Sequence, residues 1–130
     1  MSKIRVAQYG SKHSHAEGKL SAILSNPDTE FAGVFEPDPK QREFLQTLDG
    51  PYSEVEYLSD VNHILQDDSI TLVTSEGRNI ESLNQTEQLV NAGKHVWFDK
   101  PAGDNWPQWQ KIIANAERQN IFVQVGYMFR

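Results

Sequence analysis

Short apolar runs of β-branched and aromatic residues alternate along this chain with stretches that repeat with the period of an α-helix. The apolar runs cover residues 4–9, 31–36, 55–58, 70–74, 95–98 and 121–125. Such alternation is typical of a parallel sheet whose strands are joined by crossover helices. We therefore expect an α/β fold: one doubly wound, mainly parallel six-stranded sheet with helices on both faces, in a single domain.

Composition excludes several classes of function. The chain has 130 residues, of which 38% are hydrophobic, which suits one core and not two domains of ordinary size. A net charge of −6 argues against a nucleic-acid partner, and the absence of cysteine excludes disulfides and Cys-ligated metals. The start lacks the apolar segment of a signal peptide, and no stretch approaches the roughly 18 apolar residues of a membrane span. We expect a soluble, cytoplasmic protein with no membrane partner.

The predicted fold indicates where a ligand should bind. In a doubly wound sheet, ligands occupy the crevice beyond the carboxyl ends of the strands. The loops that follow strands one, two, four and five of the prediction cover residues 10–15, 36–38, 75–79 and 99–103.

The first loop has the sequence Gly10-Ser11-Lys12-His13-Ser14-His15, which matches the dinucleotide pattern G-x-G-x-x-G at its first glycine only. Gly10 permits a tight turn, and Ser14 with Glu17 predicts a capping box at the start of a helix whose N–H groups could face a phosphate. Lys12 adds a positive charge and also a side chain where backbone should approach closely. The alternative is an ordinary turn with a solvated lysine. His13 and His15 lack a third ligand, so we predict no metal site.

Glu36 closes the second predicted strand. A carboxylate there can accept hydrogen bonds from both ribose hydroxyls of the adenosine half of a dinucleotide. It would repel a 2′-phosphate, which favours NAD over NADP. The alternative is a solvated loop residue.

The segment 92–101 reads A-G-K-H-V-W-F-D-K-P. It resembles the signature of the glucose-fructose oxidoreductase, inositol dehydrogenase and rhizopine-catabolism (Gfo/Idh/MocA) family. The resemblance implies the NAD(P)-binding Rossmann domain of an oxidoreductase that transfers a hydride between nicotinamide and a sugar, polyol or related hydroxy compound. It also implies that Lys100 is catalytic, beside the nicotinamide and the substrate hydroxyl, and that Pro101 fixes the turn. The predicted cofactor-binding residues are Gly10, Ser11, Lys12, His13, His15, Glu36, Ser75, Asn79, Asp99 and Pro101.

Two features depart from that family. Its members commonly carry T-P-N-x-x-H after the fourth strand, whereas residues 77–82 match only at Asn79. Family enzymes also have a second α/β domain that holds the substrate and a catalytic histidine. We therefore interpret residues 1–130 as the dinucleotide-binding domain alone, a fragment or truncated product that is inactive by itself and can form a homo-oligomer through apolar residues 127–129. The other hypothesis is a noncatalytic dinucleotide-binding or regulatory protein that acts through protein contacts.

Overall fold

The computed structural model describes residues 3–99 and 105–126 of the chain. Strands and helices alternate along these residues as the sequence predicts. In chain order they are β1 Ile4–Tyr9, α1 Ala16–Ser25, β2 Thr29–Phe35, α2 Pro39–Thr47, a 3₁₀ turn Pro51–Ser53, α3 Asn62–Leu65, β3 Leu72–Ser75, α4 Asn79–Asn91, β4 His95–Asp99, α5 Trp106–Gln119 and β5 Val123–Gly126.

The strands form one parallel sheet in the order β2-β1-β3-β4-β5. The predicted α/β, Rossmann-like fold is therefore confirmed. The chain places β2 on one side of β1 and then returns to the other side for β3, so the winding reverses between β1 and β3. At such a switch point the loops leaving the two strands diverge and open a crevice at the carboxyl edge of the sheet.

The prediction of six strands is wrong at the third predicted strand, residues 55–58, since the sheet has five strands among the described residues. In that segment Tyr57 forms an isolated parallel bridge with Val34 of β2. The segment stays short because a 3₁₀ turn precedes it and Asp60 follows, where Oδ1 of Asp60 accepts a hydrogen bond from the backbone N–H of Asn62 at the start of α3. It thus lies where a further edge strand would lie, beside β2, without forming one.

The predicted Ser14 capping box is also absent. Helix α1 begins at Ala16 with His15 as its N-cap, and no side chain caps this end. Because the N–H of Ala16 donates to the carbonyl of His13, the chain turns tightly before the helix and Ser14 is left exposed.

Two cores hold the helices against the sheet. Helices α4 and α5 pack on one face of β3–β5, and α1, α2 and the 3₁₀ turn pack on the opposite face of β1 and β2. The first core includes Val73, Leu89, Val96, Phe98 and Ile112, and the second contains Leu20, Val34, Leu45 and Tyr52. This packing fixes the strand ends that carry the candidate site.

Candidate functional site

The loops that follow β1, β2 and β3 meet at the carboxyl edge of the sheet. The backbone N–H of Gly10 donates to the carbonyl of Phe35 at 2.8 Å. The N–H of Glu76 donates to the carbonyl of Tyr9 at 2.8 Å, and the N–H of His13 donates to the carbonyl of Glu76 at 2.9 Å. Main-chain hydrogen bonds therefore fix the loop 10–15 against both of its neighbours.

Gly10 occupies a position that favours glycine. Its φ is +83°, and a Cβ added there would lie 2.9 Å from the backbone nitrogen of Gly77. A larger residue would thus be strained and would also force the two loops apart. The carbonyl of Gly10 accepts a hydrogen bond from Nε2 of Gln8 at 2.9 Å, and this buried amide also contacts the Tyr52 hydroxyl. The turn is consequently supported by the buried polar side chains of Gln8 on β1 and Tyr52 on the 3₁₀ turn.

Glu36 lies immediately after β2 with its side chain 2% exposed. The Ser11 hydroxyl donates to its Oε1 at 2.5 Å, and the backbone N–H of Asp38 donates to its Oε2 at 2.8 Å. Glu36 therefore joins the loop after β1 to the loop after β2. Each carboxylate oxygen can accept a further hydrogen bond, so the arrangement is compatible with ribose hydroxyls arriving from the crevice.

Lys12 and Asp38 form an ion pair at the mouth of this arrangement. Their Nζ and Oδ2 atoms are 2.8 Å apart. Asp38 also begins α2, where its Oδ1 accepts a hydrogen bond from the backbone N–H of Lys40. The hydrogen bond from Lys12, followed by the one from the Lys40 backbone, holds the pKa of Asp38 below its ordinary value. Lys12 is thus held beside the carboxylates at the end of β2.

His13 and His15 lie together at the start of α1. The backbone N–H of His15 donates to Nδ1 of His13 at 3.1 Å, and the ring centroids are 5.1 Å apart. Within residues 3–99 and 105–126, no three His, Cys, Asp or Glu side chains are grouped so that they could hold a metal ion.

The remaining predicted site residues follow β3 and β4. Ser75 is the last residue of β3. Its buried hydroxyl accepts a hydrogen bond from the Thr86 hydroxyl of α4 at 3.3 Å, on the face of the sheet that α4 covers. Asn79 is the first residue of α4 and Asp99 is the last residue of β4. Lys100 and Pro101 lie outside the described residues.

The Lys19–Glu76 ion pair was not predicted from the sequence. Glu76 directly follows β3 and its carboxylate is fully buried, with Oε1 2.7 Å from Nζ of Lys19 on α1. A signal was present, because Lys19 stands at the i+3 position of a stripe that includes Ala16, Leu20 and Ile23, where an apolar residue is expected. A lysine on the buried face of a helix indicates a buried partner.

A separate cavity of about 530 Å³ lies towards the amino ends of the strands. Its lining includes Ile4, Leu72, His95 and Phe122, and it is largely apolar. It is therefore not the crevice at the carboxyl edge. The backbone N–H of Phe122 donates to Nδ1 of His95 at 2.9 Å, so His95 links β4 to the start of β5.

The geometry of the carboxyl edge is compatible with a dinucleotide. A glycine turn leads into a helix whose first turn has no side-chain cap, and such an end attracts phosphate through its N–H groups and partial positive charge. Lys12 adds a full positive charge beside this turn, and Glu36 supplies a carboxylate at the end of the adjacent strand.

Many solved structures are similar to the chain, and the following three are among them. An NAD-binding protein from Listeria innocua is 19% identical with a TM-score of 0.80, covering 96% of this chain and 34% of that chain. KijD10, a 3-ketoreductase from Actinomadura kijaniata in complex with NADP and TDP-benzene, is 19% identical with a TM-score of 0.79, covering 96% and 37%. GenD2 from gentamicin A biosynthesis, in complex with NAD, is 17% identical with a TM-score of 0.81, covering 97% and 35%. At these identities the likeness shows the fold, and the chain spans about a third of the length of these proteins.

No curated protein sequence shows significant similarity to the chain. Among the described residues, no helix has the length and apolar character needed to cross a bilayer.

A family model extends over nearly the whole chain. The model of the oxidoreductase family with an NAD-binding Rossmann fold, Gfo/Idh/MocA, matches residues 4–127. This match confirms the resemblance that segment 92–101 indicates, and it agrees with the parallel sheet and its switch point. The chain belongs to the Gfo/Idh/MocA oxidoreductase family and carries its NAD-binding Rossmann fold.

Proposed function

We propose that residues 1–130 form the unit through which an NAD(H)-dependent oxidoreductase binds its cofactor, with a preference for NAD(H) over NADP(H). The observation that carries this proposal is the Glu36 carboxylate, which directly follows β2 and is held 2.5 Å from the Ser11 hydroxyl of the glycine turn. A carboxylate in this place accepts hydrogen bonds from the adenosine ribose diol and repels a 2′-phosphate.

The proposed binding mode assigns different tasks to the loops. Gly10, Ser11, Lys12, His13 and His15 border the pyrophosphate, where the start of α1 and the Lys12 ammonium favour negative charge. Ser75, Asn79 and Asp99 belong to the ends of β3 and β4 and to the start of α4, and they contribute to the nicotinamide side of the crevice.

For the whole protein we propose hydride transfer between nicotinamide and a sugar, polyol or related hydroxy compound. The bound dinucleotide supplies the hydride donor or acceptor. We assign to Lys100 the task of holding and polarising the substrate oxygen, and to Pro101 a part in the cofactor site. The family and the description of KijD10 as a 3-ketoreductase support chemistry between a hydroxyl and a carbonyl.

Calorimetric titration of the chain with NADH and with NADPH tests cofactor choice. We expect tighter binding of NADH, and we expect Glu36→Ala to weaken NADH binding by about 1 to 3 kcal/mol because charged hydrogen bonds are lost. Glu43→Ala, which removes an exposed carboxylate from α2, is the matched control and should leave the affinity unchanged. Equal or tighter binding of NADPH by the unmodified chain would contradict the assignment of Glu36.

Reduction of NAD with a panel of sugars, inositols and other polyols tests catalysis. We expect no turnover by these 130 residues alone, because hydride transfer needs the substrate carbon held roughly 3 to 3.5 Å from nicotinamide C4 beside a placed acid or base. Turnover that disappears in Lys100→Ala would show that these residues contain a complete active site.

A further inference from the structure

A buried ion pair lies directly beneath the junction of the loops after β1 and β3. Lys19 of α1 is 7% exposed and Glu76 is fully buried, with 2.7 Å between Nζ and Oε1. The Lys19 ammonium also lies 4.5 Å from the centroid of the Trp97 ring on β4. One cation therefore connects helix α1 with Glu76, which directly follows β3, and with Trp97 in the middle of β4.

Glu76 is joined to the glycine loop by its main chain as well. Its N–H donates to the carbonyl of Tyr9, and its carbonyl accepts from the N–H of His13. The next residue, Gly77, approaches Gly10 so closely that a Cβ on Gly10 would lie 2.9 Å from the Gly77 nitrogen. Glu76 thus sets the separation between the two loops that border the switch point. Lys19 in turn holds the Glu76 side chain in place.

Stability alone is a weak reason for this pair. Burying two charges carries a desolvation cost of several kcal/mol per ion, and apolar pairs of similar volume often stabilise a fold as well or better. A lysine near the start of a helix is also unfavourable for the helix dipole unless an anion compensates it. What an apolar pair does not supply is a directional contact that fixes one spacing between α1 and the loop after β3.

We propose that Lys19 and Glu76 are positioning residues for the dinucleotide. Their ion pair holds the glycine loop and the segment 76–78 at the spacing that the cofactor requires, without contact between either side chain and the cofactor. The proposal rests on the proposed dinucleotide binding and adds to it that affinity depends on a salt bridge beneath the crevice.

The test compares two variants that each disturb a buried charged group. Glu76→Gln keeps the shape of the side chain and removes its charge. Lys94→Met removes a lysine that is 4% exposed and lies before β4, at the opposite edge of the sheet. Melting temperature and calorimetric NADH affinity are measured for both variants and for the unmodified chain, at a temperature where all three are folded. We expect both variants to melt lower, and only Glu76→Gln to bind NADH at least about tenfold more weakly, since small misplacements of binding groups have large effects.

The double variant Lys19→Met/Glu76→Leu separates positioning from stability. We expect it to recover the melting temperature lost in Glu76→Gln while NADH affinity stays low. Recovery of affinity together with stability would overturn the proposal, as would unchanged affinity in Glu76→Gln or an equal loss in Lys94→Met. If the unmodified chain fails to bind NADH, the proposed function fails as well. If the unmodified chain binds NADH and Glu76→Gln has no specific effect on that affinity, only this inference fails.

Discussion

The two edges of the sheet each contain a buried lysine, and the two lysines are held in different ways. At the carboxyl edge, Lys19 of α1 pairs with the carboxylate of Glu76, which lies in the loop after β3. At the amino edge, Lys94 donates to two main-chain carbonyls, that of Asp67 at 2.7 Å and that of Ile70 at 2.8 Å. Burial lowers the pKa of Lys94, while Asp68 and Asp67 oppose that shift.

The difference shows how one fold divides stability from function. Lys94 closes the turn before β3 by donating charged hydrogen bonds to two of its main-chain carbonyls, which is a structural task. The carboxyl edge instead brings together charged side chains from helix α1 and from the loops after β1, β2 and β3, namely Lys12, Lys19, Glu36, Asp38 and Glu76. We expect changes at the amino edge to alter mainly the free energy of unfolding, and changes at the carboxyl edge to alter mainly cofactor affinity.

The largest loss of stability is expected for Lys94→Met. Losing the ammonium leaves the carbonyls of Asp67 and Ile70 without this charged donor, and we expect the free energy of unfolding to fall by about 2 to 4 kcal/mol. Urea denaturation measures the change, with the exposed Lys111→Met on α5 as control. A loss no larger than that of the control would show that Lys94 is not the closing contact of this edge.

Gly10→Ala should combine both kinds of effect at the carboxyl edge. The residue would need a φ of +83° and its Cβ would lie 2.9 Å from the Gly77 nitrogen, so we expect a destabilisation of about 1 to 3 kcal/mol with weaker NADH binding. The matched control is Gly18→Ala, because nothing lies within 4 Å of a Cβ added at that position. In the helix α1 this control should stabilise by about 0.5 to 1 kcal/mol. Urea denaturation and calorimetry are carried out on both variants. Equal changes in unfolding free energy and in NADH affinity for Gly10→Ala and Gly18→Ala would contradict the geometry of the turn.

Lys12→Met should have a smaller effect, mainly on binding. If Lys12 faces the pyrophosphate, its removal weakens NADH binding and makes the affinity less dependent on salt. Titrations at several salt concentrations measure this, with Lys40→Met on α2 as control. Tighter binding with unchanged salt dependence would indicate that the Lys12 side chain only obstructs the turn.

The smallest expected effect is on stability in acid. Because Lys12 holds the folded-state pKa of Asp38 below its ordinary value of 3.8, this contribution to stability is present above that pH. It is lost as the pH falls through the lowered pKa. Lys12→Met should therefore make unfolding slightly less sensitive to pH below about 4. Denaturation curves between neutral pH and pH 3 check this, and an unchanged pH dependence would argue against the Lys12–Asp38 pair in solution.

The sequence was sufficient to predict the fold because every paired strand is a short apolar run and helical stretches separate these runs. Residues 55–58 misled the prediction, since their alternation resembles that of a strand. Whether such a segment pairs depends on its length beside β2, and this is set by the 3₁₀ turn before it and by Asp60 after it. Local pattern does not contain that information.

The candidate site was predictable where a single residue type and its place after a strand are enough, as for Gly10 and Glu36. The partners of these residues were not predictable. Sequence pattern does not show that Ser11 and the Asp38 backbone donate hydrogen bonds to the Glu36 carboxylate, or that Lys19 pairs with Glu76. These contacts depend on how helix α1 and the loops after β1, β2 and β3 approach one another.

Titration of the ¹⁵N-labelled chain with NAD⁺, followed through its backbone amide resonances, shows directly whether the dinucleotide binds at the carboxyl edge of the sheet. We expect saturable shifts centred on the amides of Ser11, His13, His15, Asp38 and Gly77 at that edge. The amides of Ile4, Lys94 and His95 at the amino edge should change little. Shifts centred on the amino edge, or no shifts at millimolar NAD⁺, would contradict dinucleotide binding at the carboxyl edge.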